Sequence, residues 1–131
     1  MSLWLRYGIM KKMKFGITIK QRDIVLIPFP YSDFSTKKKR PVLIVSNQDY
    51  HKNNNDIICC AITSSNKPVY NGVSIDNNDM DEGNLKIKST VKPGKIWSLH
   101  KDRIIMVIGR LNIIKTREII KNLNLNINID E

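Results

Sequence analysis

The sequence predicts a mainly β domain, a small and strongly curved barrel that ends in one α-helix. Short apolar runs recur through residues 24–108, and each is bounded by Pro, Gly, Asn or Asp. After Gly109 the spacing of apolar residues changes from that of strands to that of a helix. The chain of 131 residues has room for one core. Many short strands with a single helix favour a barrel over a parallel sheet with crossover helices.

The strands are predicted from β-branched and apolar composition, and their ends from turn residues. Pro28 and Pro30 stop the first strand, and Pro93 with Gly94 marks a turn late in the chain. The acidic, Asn-rich segment 76–84 is expected to be a loop with Gly83 as a turn residue. The predicted strands are 24–29, 42–45, 56–63, 69–75, 87–91, 95–99 and 104–108.

One helix is predicted at the carboxyl end. Asn112 can cap it, because an Asn side chain accepts hydrogen bonds from the first free backbone N–H groups of a helix. The apolar side of this helix consists of Ile113, Ile119, Ile120 and Leu123. The Asn-rich tail after Leu123 is expected to fray. Residues 1–20 are interpreted as an extension, partly disordered or foreign to the natural chain, and residues 21–131 as a single domain.

The charge balance indicates a polyanionic partner. The chain has 22 Lys and Arg against 12 Asp and Glu, a net charge of +10 and a pI near 9.8. Because it lacks a run of 18 apolar residues, RNA or DNA is favoured over a membrane. The adjacent Cys59 and Cys60 lack CxxC spacing, and we expect them to be reduced in a cytoplasmic protein. We predict no metal and no cofactor.

Arg40 is the first candidate for chemistry. It follows three lysines and stands just before the apolar run 42–45, and Pro41 biases it toward an extended conformation. A guanidinium at the start of a rigid strand is a permanently charged fork for a phosphate, since Arg does not deprotonate at usable pH. The alternative is a surface ion pair.

Three segments resemble the MazF/PemK ribonuclease toxins of toxin–antitoxin pairs in order, spacing and residue type. They are RDIVLIPFPYSD (22–33), KRPVLIVSN (39–47) and DIICCAITSS (56–65), and the resemblance extends over about residues 22–123. It implies an SH3-like barrel of the CcdB/PemK type and a homodimer. It further implies metal-independent cleavage of single-stranded RNA by the 2′-hydroxyl, and a separate antitoxin as partner.

The resemblance also implies a site. Arg40 and Thr63 match the toxins' Arg and Thr at the scissile phosphate, and we expect the two side chains to meet at one phosphorus atom. Without the family resemblance, the favoured interpretation of Thr63 is a strand-end residue whose hydroxyl satisfies local backbone groups. The general base is not identified, and neither His51 nor His100 is assigned to it. The predicted RNA-binding residues are Asp33, Ser35, Lys38, Lys39, Ser64, Ser65, Lys95 and Trp97.

One segment departs from the family pattern. Lys95 and Trp97 stand where many MazF-type chains have the Gln and Arg of a QIRT-like segment. This departure leaves open a degenerate toxin that binds RNA or antitoxin without cutting. A CcdB-like inhibitor of DNA gyrase is a separate alternative, which the Arg40-Pro41 pair and the AITSS segment disfavour. Trp97 is a candidate stacking surface for a base, with a barrel-core or dimer-interface role as its alternative.

Overall fold

A computed structural model describes residues 11–12, 18–28 and 38–131. The loop residues Asp33 and Ser35, two of the predicted RNA contacts, lie outside the described residues. Short 3-10 turns cover Asn77–Asp79 and Lys101–Arg103. The elements are β1 (Lys11–Lys12), β2 (Asp23–Pro28), β3 (Lys39–Ile44), α1 (Gln48–Asn53), β4 (Asp56–Thr63), β5 (Val73–Ile75), β6 (Met80–Gly83), β7 (Ser89–His100), β8 (Met106–Leu111) and α2 (Ile113–Ile127).

The strands form one curled, antiparallel sheet. Its order is β1-β8-β2-β3-β4-β7-β5, and β6 pairs with β8 outside this path. The interior strand β2 pairs with β3 on one side and with β8 on the other. Sequence neighbours β2, β3 and β4 are also neighbours in the sheet. The predicted fold class, a mainly β barrel-like domain with a terminal helix, is confirmed.

The two faces of the sheet bury different clusters. Successive residues of a strand point to opposite faces, so Ile24 and Leu26 lie on one face and Val25 and Ile27 on the other. The core face is the one against which α2 packs. The opposite face, called the outer face below, buries Ile19, Val25, Ile27, Val42, Ile44, Ile57, Cys59 and Ile104. Central strands buried on both sides explain the continuous apolar runs.

Helix α2 covers the core face. Asn112 caps it, and its Oδ1 accepts a hydrogen bond of 2.8 Å from Lys115 N. Ile119 is fully buried and Leu123 packs against the same cluster, as the apolar spacing predicts. Ile113 is 48% exposed, so its predicted place on the apolar side is wrong. The predicted fraying after Leu123 is wrong, because the helix continues to Ile127.

Side-chain amides hold this end of the helix. Asn122 Nδ2 donates to Asn71 O at 3.0 Å, and Asn71 Nδ2 donates to Asn126 Oδ1 at 2.9 Å. Two of the three Asn residues in this part of the helix, Asn122 and Asn126, thus bond the neighbouring loop. The Asn-rich composition was therefore a poor guide to fraying.

Strand β7 corrects the prediction of two strands separated by a Pro93-Gly94 turn. The chain continues as one strand of 12 residues. Its partners on β4 jump from the pair Ala61 and Lys92 to the pair Cys60 and Ile96. Residues 93–95 therefore form an enlarged β-bulge opposite β4, and a bulge tolerates the Pro and Gly that would end a regular strand.

The segment 76–84 is not a simple loop, which corrects a second prediction. Asp76 caps a 3-10 turn, and the chain then pairs with β8 as β6. Gly83 has a φ of 75°, and a Cβ there would stand 2.2 Å from Ile108 O. The two backbones approach this closely only because Gly83 has no side chain.

Further bounds differ from the sequence prediction. β5 begins only at Val73, and β8 covers Met106–Leu111 instead of 104–108. The short helix α1 was not predicted, and Asn47 caps it by accepting a 3.0 Å hydrogen bond from Tyr50 N. In the amino-terminal extension, β1 pairs with β8 and Ile19 is 7% exposed. Among the described residues, no helix is long and apolar enough to cross a membrane.

Candidate active site

Arg40 and Thr63 lie on adjacent strands. The ladder between β3 and β4 pairs Val42 with Ala61 and Ile44 with Cys59. Continued by two residues, the same register sets Arg40 opposite Thr63, where directly facing Cα atoms are about 4.5–5.5 Å apart. Both side chains belong to the outer face, because they alternate in step with Val42 and Cys59.

Arg40 lies inside β3 and not before it, since the strand begins at Lys39. Its Cα partner on β2 is Ile27. The Arg40 side chain is exposed, although the next outer-face residue along the strand, Val42, is fully buried. Lys39 neighbours Arg40 in the strand, so its side chain lies on the opposite, core face and the structure does not bring the two together. Lys38 is exposed just before the strand.

The Thr63 hydroxyl has one defined partner. Its Oγ1 accepts a hydrogen bond of 3.1 Å from Ser65 N, and Ser65 Oγ accepts one of 3.2 Å from Lys67 N. These bonds order the exposed turn after β4, which also includes Ser64. Because Oγ1 already accepts from the backbone, its own proton is directed elsewhere and can be donated to a phosphate oxygen.

Two further hydroxyls continue the line of Arg40 and Thr63. Thr63 faces Thr90 of β7, and Thr90 faces Ser74 of β5. All four side chains lie on the outer face and are exposed or partly buried. Sequence reasoning missed Thr90 and Ser74. The only signal is that Thr90 and Lys92 alternate with the buried Ser89 and Val91.

Lys95 and Trp97 have different surroundings. Lys95 is exposed in the bulge of β7. Trp97 faces Cys59 and packs partly buried against the apolar cluster of the outer face, and Cys59 Sγ donates to Trp97 O at 3.6 Å. This packing favours the barrel-core alternative for Trp97, and its stacking role stays a prediction.

Both histidines lie away from Arg40 and Thr63. His51 belongs to α1, which follows the opposite end of β3, and its Nε2 is 2.7 Å from Ser46 Oγ. His100 faces Asp56, seven residues along β4 from Thr63, or about 23 Å at the rise of a strand. Its Nδ1 accepts a 3.1 Å hydrogen bond from Asp102 N. A general base is therefore not assigned to either.

The cysteines are packing residues. Both are free and fully buried, Cys59 toward the outer face and Cys60 toward the core. Burial raises the pKa of each thiol to about 12, because a thiolate is poorly solvated there. Within residues 11–12, 18–28 and 38–131, no group of three or more His, Cys, Asp or Glu is arranged to hold a metal ion.

A family model for the "PemK-like, MazF-like toxin of type II toxin-antitoxin system" matches residues 20–127. The chain belongs to this family. The match includes Arg40, Thr63 and the divergent segment from Lys95 to Trp97. No curated protein matches the chain.

Solved structures of MazF toxins have the same fold. An endoribonuclease from a mycobacterial species, solved with its cognate antitoxin, has a TM-score of 0.70 at 17% identity, over 87% of this chain and 99% of that one. A MazE–MazF structure from Deinococcus radiodurans gives 0.69 at 16% identity, over 87% and 100%. The Mycobacterium tuberculosis toxin MazF-mt6 gives 0.65 at 17% identity, over 84% and 100%. This PemK/MazF-family chain thus has the family's fold at low sequence identity.

Proposed function

We propose that this chain is the toxin of a type II toxin–antitoxin pair and a metal-independent endoribonuclease of single-stranded RNA. The observation that supports the proposal is the β3–β4 register, which pairs Val42 with Ala61 and, continued by two residues, would bring Arg40 opposite Thr63 on the outer face. A permanent cation and a hydroxyl donor on adjacent rigid strands can hold the two non-bridging oxygens of one phosphate. The names of similar structures, which include endoribonucleases, support it further.

The proposed reaction is transesterification. The ribose 2′-oxygen attacks the adjacent phosphorus and gives up its proton to a base, and the bond from phosphorus to the 5′-oxygen breaks. The 5′-oxygen takes up a proton, so the products are a 2′,3′-cyclic phosphate and a 5′-hydroxyl. Because the nucleophile belongs to the RNA, the protein must only orient the phosphate, move protons and stabilise the pentacoordinate state.

Arg40 is assigned the electrostatic part of this reaction. Its guanidinium would donate hydrogen bonds to the oxygens on which negative charge grows, and one such donor contributes on the order of 100- to 1000-fold in rate. Thr63 is assigned to hold the phosphate by donating its hydroxyl proton. A Thr hydroxyl is a very weak acid and stays protonated at neutral pH, so it cannot act as the general base.

The proposed protein partner is an acidic antitoxin. Several of the similar structures, including the mycobacterial complex and the MazE–MazF structure described above, contain a toxin with its antitoxin. A flexible acidic segment would be attracted to a chain of net charge +10 and would cover the end of the outer face that includes Arg40. This contact would compete with RNA. We also propose a homodimer, on the family resemblance alone.

A second candidate function is binding of RNA or antitoxin without cleavage. The observation in its favour is the segment around Trp97, whose indole is packed against the apolar cluster where many family members have an Arg. A site without that second guanidinium has fewer donors for the RNA. This candidate predicts that the purified chain binds single-stranded RNA and leaves it intact.

The test uses RNAs of one sequence in which single riboses are replaced by 2′-deoxyribose. We expect cleavage of the unmodified RNA in the presence of EDTA, with a 5′-hydroxyl on the downstream product. Replacing the ribose before a cut should abolish that cut and no other. Cleavage at a deoxy-substituted linkage would refute the mechanism, and binding without any cleavage would favour the second candidate. Inhibition of gyrase without RNA cleavage would favour the CcdB-like alternative.

A further inference from the structure

The polar part of the outer face extends beyond the proposed catalytic pair. Thr63 of β4 faces Thr90 of β7, and Thr90 faces Ser74 of β5. The β3–β4 register, continued two residues beyond the pair Val42 and Ala61, adds Arg40 of β3 to this line. These four residues are called the polar row below. Three interstrand spacings of ~4.8 Å give the row a length of about 14 Å. Because its members pair across neighbouring strands, the row runs perpendicular to the strand direction.

A second row of the same face adds a cation. Lys92 faces Ala61, one outer-face position along the strands from Thr90 and Thr63. The Lys92 residue is partly buried. A lysine in such a position can pack its apolar stem on the sheet and keep its ammonium group in contact with solvent. The β7 bulge follows immediately along the chain and includes the exposed Lys95. On β7, the Thr90 hydroxyl is therefore followed within five residues by two lysines.

The residue types change abruptly on this face. Along β3, outer-face positions go from the buried Ile44 and Val42 to the exposed Arg40. Along β4 they go from the buried Cys59 to Thr63, with only Ala61 between. If β3 and β4 served only to pack the cluster, we would expect them to stay apolar on this face or to end. Instead both strands continue, and their last outer-face residues, Arg40 and Thr63, can donate hydrogen bonds to an anion.

We propose that Thr90, Ser74 and Lys92 form a second phosphate subsite, next to the scissile phosphate held by Arg40 and Thr63. The RNA backbone would then run across β3, β4, β7 and β5, and not along them. This inference rests on the proposed function for the identity of the ligand as single-stranded RNA. It assigns substrate contacts to β5 and β7 at positions that the family resemblance does not assign.

The chemistry of the subsite fits a phosphodiester. Thr90 and Ser74 each donate one hydroxyl proton, and Lys92 supplies a compact charge whose contact with a phosphate releases a counterion. None of these groups reads a base. The subsite therefore adds affinity and fixes the direction of the chain without choosing its sequence.

The experiment measures binding of a short 2′-O-methyl RNA, which lacks the nucleophile and stays intact. We expect Thr90→Val to raise Kd about fivefold, the loss of one hydrogen bond of ordinary strength. Lys92→Gln should raise Kd by a similar factor and lower the slope of log K against log salt by about 0.7. Circular dichroism and thermal melting verify that both variants fold.

Matched controls come from positions off the row. Ser98→Ala removes a hydroxyl from the same strand β7 at an exposed position that alternates away from Trp97. Lys121→Gln removes the same charge as Lys92→Gln from α2, which packs on the core face. Both controls should leave Kd within about twofold. Equal Kd values for the row variants and the controls would overturn the second subsite.

Parallel cleavage assays on unmodified RNA separate the two proposals. One outcome is that the wild-type chain cleaves RNA while the row variants and the controls have the same Kd. That result overturns the subsite and leaves the nuclease proposal intact. Binding that depends on the row without any cleavage supports the subsite and overturns the nuclease. Absence of both binding and cleavage overturns both.

Discussion

The two ends of the outer face use the same strands for opposite purposes. At one end, Ile44 and Cys59 are fully buried in an apolar cluster. At the other end of the same strands, Arg40 and Thr63 present a guanidinium and a hydroxyl to the surroundings. The apolar end fixes the strands, so the backbone that carries Arg40 and Thr63 at the polar end is held in place by packing elsewhere on the same strands. A site on rigid strands needs little reorganisation to bind a transition state.

The largest expected effect is on the alkylation rate of Cys59, at the apolar end, which should differ between the native and the unfolded protein. Burial raises the pKa of Cys59 from 9.0 to about 12, which lowers the thiolate fraction roughly a thousandfold at neutral pH. We expect iodoacetamide to alkylate the native protein at least that much more slowly than the protein in urea, as measured by mass spectrometry. Rapid labelling of native Cys59 would contradict a sealed apolar end.

The next effect belongs to the polar end. Arg40→Ala should lower RNA cleavage by about 100- to 1000-fold, because it removes the donor proposed for the charged transition state. Its melting temperature should stay close to that of the wild type, since the side chain is exposed. The matched control is Arg103→Ala, an exposed Arg in the 3-10 turn after β7. Equal cleavage by both variants would remove Arg40 from the mechanism.

At the apolar end, a truncation should act on stability and not on chemistry. Ile44→Ala should lower the free energy of unfolding by roughly 2–5 kcal/mol, because it leaves a cavity in a fully buried cluster. Ile114→Ala is the control, since that side chain on α2 is 73% exposed and its loss should change stability by less than about 0.5 kcal/mol. Urea denaturation measures both.

Cleavage per folded molecule should be unchanged in Ile44→Ala. If cleavage fell as far as in Arg40→Ala while the variant stayed folded, the apolar end would contribute to catalysis as well as to stability. The two ends would then not have separate roles.

The smallest effect concerns pH. Burial lowers the pKa of His51, so the folded state binds a proton less readily than the unfolded state, whose His titrates near 6.5. Stability is therefore full above pH 6.5 and falls as the pH drops below it, because the unfolded chain takes up the proton first. In His51→Gln, denaturation midpoints between pH 7 and 5 should decline less steeply. An unchanged slope would contradict this assignment.

Much of the fold follows from local sequence. The bounds predicted for β4, Asp56–Thr63, coincide with those observed, because Asn residues precede the apolar run and a polar cluster follows it. The prediction failed where tertiary pairing overrode a local signal. Pro93 and Gly94 mark a turn in isolation, but they fit inside β7 because β4 leaves them unpaired. Helix α1 was missed because it is short and polar and has no buried residue.

Some residues of the candidate site could be predicted from the sequence, and others could be found only from the pairing of strands. Arg40 and Thr63 were selected from residue type and family resemblance, whereas Thr90 and Ser74 have no local feature that separates them from other strand residues. Their place in the polar row depends on the registers of β4 with β7 and of β7 with β5. A shift of one residue in either register would turn these hydroxyls to the core face.

By itself the sequence determined that this chain is β-rich and basic, where its helix begins, and which cation and hydroxyl are candidates for phosphate chemistry. These properties depend on composition and on contacts between near neighbours in the chain. Only the tertiary structure decided which residues face each other across strands that are distant in sequence. Strand register is fixed by burial on both faces of the sheet at once, and no single segment contains that information.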